Sequence, residues 1–262
     1  MGDIRATPAA ADGGEHLMPA ADITVLNGVP FLERNFLVPR LLAGVVVVRQ
    51  VHSRNLGVQD VPAAHDITGW LSPDSAVNTR PNATPVQVRP MPPERMRRVQ
   101  RAARGLGELL PHWRQLMALP MAYHLLEKGD MSLSASTYLW PQQILLSDAA
   151  FDNRQSLDEL LLHEWCHQWL YLMEELWAFD VPGARRVTLP SGTSHRAPRE
   201  VIGAAHVAAV TIRMYAALGV HGGERVEMFT DYGRGCLDLL DELHEDLTPA
   251  GQKIAGKLKE AL

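Results

Sequence analysis

Apolar side chains recur every three or four residues between 93 and 118, where Met96, Val99, Ala103, Leu106, Leu110, Trp113 and Met117 mark one face of a helix. The other face carries Arg95, Arg97, Arg98, Arg101 and Arg104. Such a run is either a solvated face or a contact surface for an acidic partner. Upstream the rhythm is lost. Residues 23–52 read as a strand or turn followed by a buried segment that Pro39 interrupts. The stretch 53–92 holds Pro62, Pro73, Pro81, Pro85, Pro90 and Pro92. It excludes long helices, because an interior proline removes a hydrogen bond and clashes with the preceding turn.

Downstream, "MSLSASTYLW" and "QQILLSD" have the character of two short strands broken by Pro141. A helix that is apolar nearly all round follows, "SLDELLLHEWCHQWLYLM". Ser156 is its predicted cap, with Glu159 returning the hydrogen bond as a capping box. Two more helices are predicted at about 199–218 and 224–245. A last one opens at "LTPAGQ", with Thr248 as cap and Pro249 in the first turn. The pattern predicts an α+β, mostly α-helical protein. A single domain over 23–262 has a small antiparallel sheet packed on the helix of 160–170. Residues 1–22, polar and rich in Ala and Gly, are expected to form a disordered tail.

Composition changes this picture little. Hydrophobic residues are 46% and charged residues 21% of the 262, enough apolar material for one sizeable core. A net charge of −5 without long Lys/Arg blocks argues against nucleic acid as the main partner. No apolar run reaches the roughly 18 residues needed to span a bilayer. The N-terminal stretch lacks the apolar core of a signal peptide. A cytoplasmic protein with no membrane partner is expected. Cys166 and Cys236 are the only cysteines, too few for a disulfide framework.

The chemistry gathers in "HEWCH". His163 and His167 stand four apart, on one helix face, so their imidazoles can converge on one ion. Glu164 is rotated off that line and is free to act beside the metal. A buried helix carries two His and a Glu only if something satisfies them, and a metal does so. A third ligand must come from later in the chain. Glu174, two turns beyond His167, lies about 10 Å along the axis and is too far. His206, among Ala204, Ala205, Val207 and Ala208, is the favoured third ligand, with Glu200 the alternative.

Two enzyme classes use such a pair. A zinc metallopeptidase would hold Zn²⁺ there, with Glu164 as general base. The run after His167 is "QWLYLM", without the Gly and third His of a metzincin. Glu200 is followed four residues on by Ala204, not by the acidic residue of a thermolysin-like enzyme. A closed, purely structural metal site is a third, non-enzymatic reading.

The other class comes from resemblance. The stretches "DELLLHEWCHQWLYL", "RAPREVIGAAHVAAVTIRMYAAL" and "LTPAGQKIAGKL" resemble the HExxH-type Fe(II)/2-oxoglutarate-dependent peptide β-hydroxylases, a family associated with maturation of ribosomally made peptides. The resemblance covers about residues 130–262. It implies a dioxygenase using Fe(II), 2-oxoglutarate and O₂ to hydroxylate an unactivated carbon, the β-carbon of a residue in a peptide, with a precursor peptide as partner. It also implies iron on His163, His167 and His206. Glu200 in place of His206 would restore the more usual two-His-one-carboxylate set. The distal carboxylate of 2-oxoglutarate needs a cation. Arg213 follows His206 by two turns, its side chain leaning back toward it; Arg199 and Arg196 are the alternatives.

Overall fold

The computed structural model describes residues 22–75, 87–127 and 133–262. The tail expected over 1–22, apart from Asp22, lies outside the described residues, as do Pro81 and Pro85. The single domain expected over 23–262 is built from two compact units. One is Val38–Leu176; the other combines residues 22–37 with Trp177–Leu262.

The first unit opens with α1 (Val38–Leu56). Pro39 sits in its first turn, where a missing N–H is no loss, so Pro39 begins the helix and does not interrupt it. A one-turn α2 (Ile67–Trp70) and a short strand β1 (Val88–Pro90) follow. The periodic stretch from 93 is two helices, α3 (Pro93–Leu109) and α4 (Trp113–Leu116). Leu110 separates them in an extended conformation, because Pro111 disfavours helix at the residue before it. Then come β2 (Ala122–Leu126), β3 (Ser134–Thr137), β4 (Trp140–Leu146) and α5 (Arg154–Glu174).

The sheet order is β1-β2-β4-β3. β1 pairs antiparallel with β2, and β3 with β4, but β2 and β4 run parallel. The sheet is therefore mixed, which corrects the expected antiparallel one. The chain crosses from β2 to form the outer strand β3, then turns back as β4 into the gap between them. That return leaves β4 pointing the same way as β2. Pro141 lies inside β4, near its start.

α5 packs against β3, β4 and α3 and is buried on almost every side, Leu157, Leu161, Leu162, Trp165, Trp169 and Leu172 included. Its cap is Asn153, whose side chain accepts from the Ser156 N–H at 2.8 Å. The helix thus starts earlier than the predicted Ser156 cap. Glu159 accepts from Gln155 at 3.1 Å, within the helix.

A buried polar network ties α1 and α4's neighbourhood to the sheet and the end of α5. Arg49 grips Glu175 with two hydrogen bonds, Nε to Oε2 at 3.0 Å and Nη2 to Oε1 at 2.8 Å. It also donates to the Trp70 carbonyl and to Gln142 Oε1, both at 2.9 Å. Gln142 is fully buried, has φ 62°, and donates to the Leu71 and Pro120 carbonyls. Its own N–H donates to Gln168 Oε1 at 2.6 Å, and Gln168 Nε2 donates to the Gln143 carbonyl at 2.8 Å. Gln168 is the residue after His167, so this network fixes the rotation of α5 against β4.

The second unit begins with a 3-10 turn (Ile23–Leu26) that Asp22 caps. Its main body is α6 (Pro198–Ala217), α7 (Glu224–Glu242) and α8 (Pro249–Ala261). α6 packs on α7 and α8. The approach is close at Gly233 of α7, where an added Cβ would lie 3.2 Å from the Ala208 Cβ of α6. Thr248 caps α8 as expected, accepting from the Gly251 N–H at 3.2 Å. Among the described residues, no helix is long and apolar enough to cross a membrane.

Candidate functional site

α5 presents the HEWCH residues from a rigid, buried rod. His163 Nε2 and His167 Nε2 are 3.1 Å apart. Their rings meet at 71°, with centroids 4.7 Å apart. One ring can donate to the other. With both nitrogens unprotonated, the two lone pairs meet at one place, as a shared metal ion requires. The i, i+4 expectation for this pair is met in the geometry.

Glu164 is almost wholly buried, 2% exposed. Its Oε1 accepts from the Ser134 hydroxyl of β3 at 2.6 Å and lies 3.9 Å from His163 Nε2. Its Oε2 is buried without a hydrogen-bond partner. A bare buried carboxylate oxygen is costly. One oxygen of Glu164 is held by the strand while the other is offered, which suits a group that must receive a proton or a donor during a reaction cycle. The His163 side chain is 42% exposed, so this end of the helix face is open to solvent.

An aromatic wall flanks the pair. Tyr171 stacks on His167, centroids 6.0 Å apart at 15°, and Tyr138 meets Tyr171 edge-on at 6.2 Å. Sequence reasoning missed Tyr171, although its i+4 spacing from His167 was a usable signal. It also missed Ser134, for which no local signal exists, since the contact spans 30 residues.

The other predicted site residues lie in the second unit. His206 is fully buried and its Nε2 donates to the Pro30 carbonyl at 2.8 Å. That bond puts the proton of the neutral ring on Nε2. Nδ1 keeps its lone pair and has no hydrogen-bond partner. Burial pushes the His206 pKa down to about 4, opposed by the Pro30 bond, so the ring is neutral at pH 7. Glu200 caps α6 through the Ala197 N–H at 2.8 Å and pairs with Arg196 at 2.7 Å. Ligation by Glu200 would undo that cap. Arg199 holds both Asp180 carboxylate oxygens at 3.3 Å. Arg213 donates to the Leu32 and Phe31 carbonyls. Burial lowers its pKa, with the Glu33 charge acting against that. Among the described residues, Arg213 has no carboxylate at ion-pair distance.

Among the described residues, no three His, Cys, Asp or Glu side chains come together to hold a metal ion. The two-His pair is brought together within the first unit; His206 and Glu200 belong to the second. No protein-family model matches the chain, and no curated protein sequence matches it.

The His206 environment gives a pH expectation for the metal-free protein. Its folded pKa, about 4, lies below the ordinary 6.5. A depressed base resists protonation when folded but not when unfolded. Stability is therefore intact above about pH 6.5 and falls as pH drops toward 4, by up to about 3 kcal/mol. Urea midpoints at pH 7.5 and 4.5, in chelator, measure it. His206→Leu should flatten the difference; an equal acid-side loss in that variant would place the cause elsewhere.

Proposed function

We propose that the chain is an Fe(II)/2-oxoglutarate-dependent oxygenase that hydroxylates the β-carbon of a residue in a peptide. The observation that carries the metal assignment is the convergence of His163 and His167 Nε2 to 3.1 Å on a buried helix. Glu164, with Oε1 3.9 Å from His163 Nε2 and Oε2 without a partner, fits a polar ligand shell. The resemblance of three stretches to the peptide β-hydroxylases supplies the reaction class. In this reading His163 and His167 hold the iron, and His206, with an unpartnered Nδ1 lone pair, remains the candidate third ligand. Bound iron, with O₂ and 2-oxoglutarate, supplies the oxidising power that no side chain has.

The chain's own residues position and exclude. Ser134 fixes Glu164, and Tyr171 fixes the His167 ring by stacking. Among the described residues β3 is an edge strand of its sheet and offers an extended peptide main-chain hydrogen bonds next to the helix. Arg213 is the better candidate for the distal carboxylate of 2-oxoglutarate, since Arg199 already has Asp180.

A second reading, a zinc-dependent peptidase, is favoured by one observation. Glu164, whose Oε1 lies 3.9 Å from His163 Nε2, has a second oxygen without a hydrogen-bond partner, as a base that deprotonates water needs.

The test is anaerobic addition of Fe(II) and 2-oxoglutarate to the purified chain. The oxygenase reading expects a visible charge-transfer band that disappears in Arg213→Ala at the same cosubstrate concentration. No band, together with peptide-bond cleavage by the zinc-loaded protein without 2-oxoglutarate, would replace it with the second reading.

A further inference from the structure

The first unit carries a second concave feature, on a different face from the histidines. α3, α4, β2 and Trp165 of α5 border an open cavity of about 700 Å³, lined among others by Arg104, Gly107, Met117, Leu119 and Tyr123. Its walls are mostly apolar. Trp165 is 1% exposed, and its Nε1 has no hydrogen-bond partner. The Tyr123 hydroxyl lies close enough to feel the indole N–H, but not in line to accept from it. A buried indole N–H ordinarily finds an acceptor. Trp165 Nε1 is closed to solvent, so the indole serves the cavity as an apolar wall.

Arg104, Arg114 and Glu108 stand among its lining residues, and the helix face beside it is basic. α3 holds five arginines against Glu94 and Glu108, in a chain whose net charge is −5. Arg95 is engaged by Asp148, and Arg98 by the Phe151 carbonyl at 2.7 Å. Arg97, Arg101 and Arg104 follow one another around exposed helix turns. Among the described residues they pair with no acid. Arg114, also exposed, lines the cavity from α4. Arg104 and Arg114 border the apolar depression, and Arg97 and Arg101 extend the unpaired charge along α3. Each part asks something different of the occupant: negative charge outside and an apolar group inside.

We propose that this cavity and its arginine rim dock an acidic peptide segment. A large apolar side chain of the peptide lies in the depression against Met117, Leu119 and Trp165, and flanking Asp or Glu carboxylates pair with Arg97, Arg101, Arg104 and Arg114. The proposal rests on the reading of the substrate as a peptide. It adds that the substrate is held by an acidic segment distinct from the residue that reacts. Burial of the apolar anchor supplies affinity that salt does not screen, while the arginines supply charge selection and faster encounter.

The probe is a synthetic fluorescein-labelled peptide with one central Phe between Asp and Glu residues, titrated by anisotropy into the metal-free chain. Saturable binding is expected. It should weaken at least tenfold in Arg97→Glu/Arg101→Glu/Arg104→Glu, and stay within about threefold of wild type in the matching Arg→Lys triple. Replacing the peptide's Phe by Ser should cost at least tenfold with the unaltered protein, and Ala103→Trp, which intrudes on the cavity from its α3 wall, should do the same. Binding unchanged by charge reversal, or equal for the Ser peptide, overturns the proposal. So does displacement of the peptide by an RNA oligonucleotide or by phosphatidylglycerol vesicles that bind more tightly than the peptide. Because no metal or cosubstrate is present, the outcome is separate from the oxygenase test. A charge-transfer band without peptide binding overturns only the docking site; peptide binding without the band overturns only the oxygenase.

Discussion

Glu175→Ala is expected to destabilise the protein by about 3–5 kcal/mol, the usual cost of stripping one partner from a buried ion pair. Both members are closed to solvent, at 3% and 1% side-chain exposure, and Nη2 meets Oε1 at 2.8 Å. Without Glu175 the Arg49 guanidinium keeps its bonds to the Trp70 carbonyl and Gln142, but its charge has no counterpart. Arg49→Met should cost a comparable amount, since it leaves a buried carboxylate. Arg49→Met with Glu175→Leu removes both charges, and the double variant should be markedly more stable than the sum of the two single losses implies. Urea unfolding followed by circular dichroism gives all three values. A loss below about 1 kcal/mol in Glu175→Ala would show that water reaches the pair and that the network does not hold α5 in place.

Metal content gives the second large effect. His163→Ala and His167→Ala are each expected to abolish iron binding, because either change leaves one imidazole of the pair. Glu164→Gln separates the two enzyme readings. Glutamine preserves the shape and can still meet Ser134, but it cannot take a proton. An oxygenase keeps its iron and goes on forming succinate from 2-oxoglutarate at a reduced level. A peptidase keeps its metal and loses roughly 10²–10⁴-fold in turnover. Iron by atomic absorption and succinate by chromatography, on the same samples, read both. Full iron occupancy in His167→Ala would remove the metal assignment altogether.

The sequence carried the helical parts of this molecule well, for reasons visible in single residues. Periodicity marked α3. The all-apolar surround of His163 and His167 marked a buried α5, and Thr248 with Pro249 marked the start of α8. Short-range signals failed where two rules competed. Ser156 and Glu159 formed a plausible capping box, yet Asn153, three residues earlier, is the better acceptor and took the cap. The strands were harder. β1 is three residues ending in Pro90, and β2 is "AYHLL"; neither is long enough to show alternation. The mixed pairing depends on the path of the chain, which no local pattern encodes. The same holds for the site. His163 and His167 are neighbours on a helix and could be read. Ser134 against Glu164, and Arg49 against Glu175 across 126 residues, are meetings that only folding arranges. Spacing to His206 alone favours Arg213 over Arg199; the ion pair of Arg199 with Asp180 is a contact no local pattern shows.

The position of β3 at the margin of its sheet also bears on which residues of a bound chain can be modified. A peptide laid against that margin as one more strand alternates its side chains between the two faces of the sheet. Only every second residue can then be turned toward α5, and a slip of one position presents the wrong set. Modification would thus recur at even spacings along a substrate and be absent at odd ones. A proline at a position that must donate to β3 would act as a stop, because it has no N–H to give. The selectivity of such an enzyme would lie less in a pocket for one side chain than in the parity of the main chain, written as a comb with a two-residue tooth.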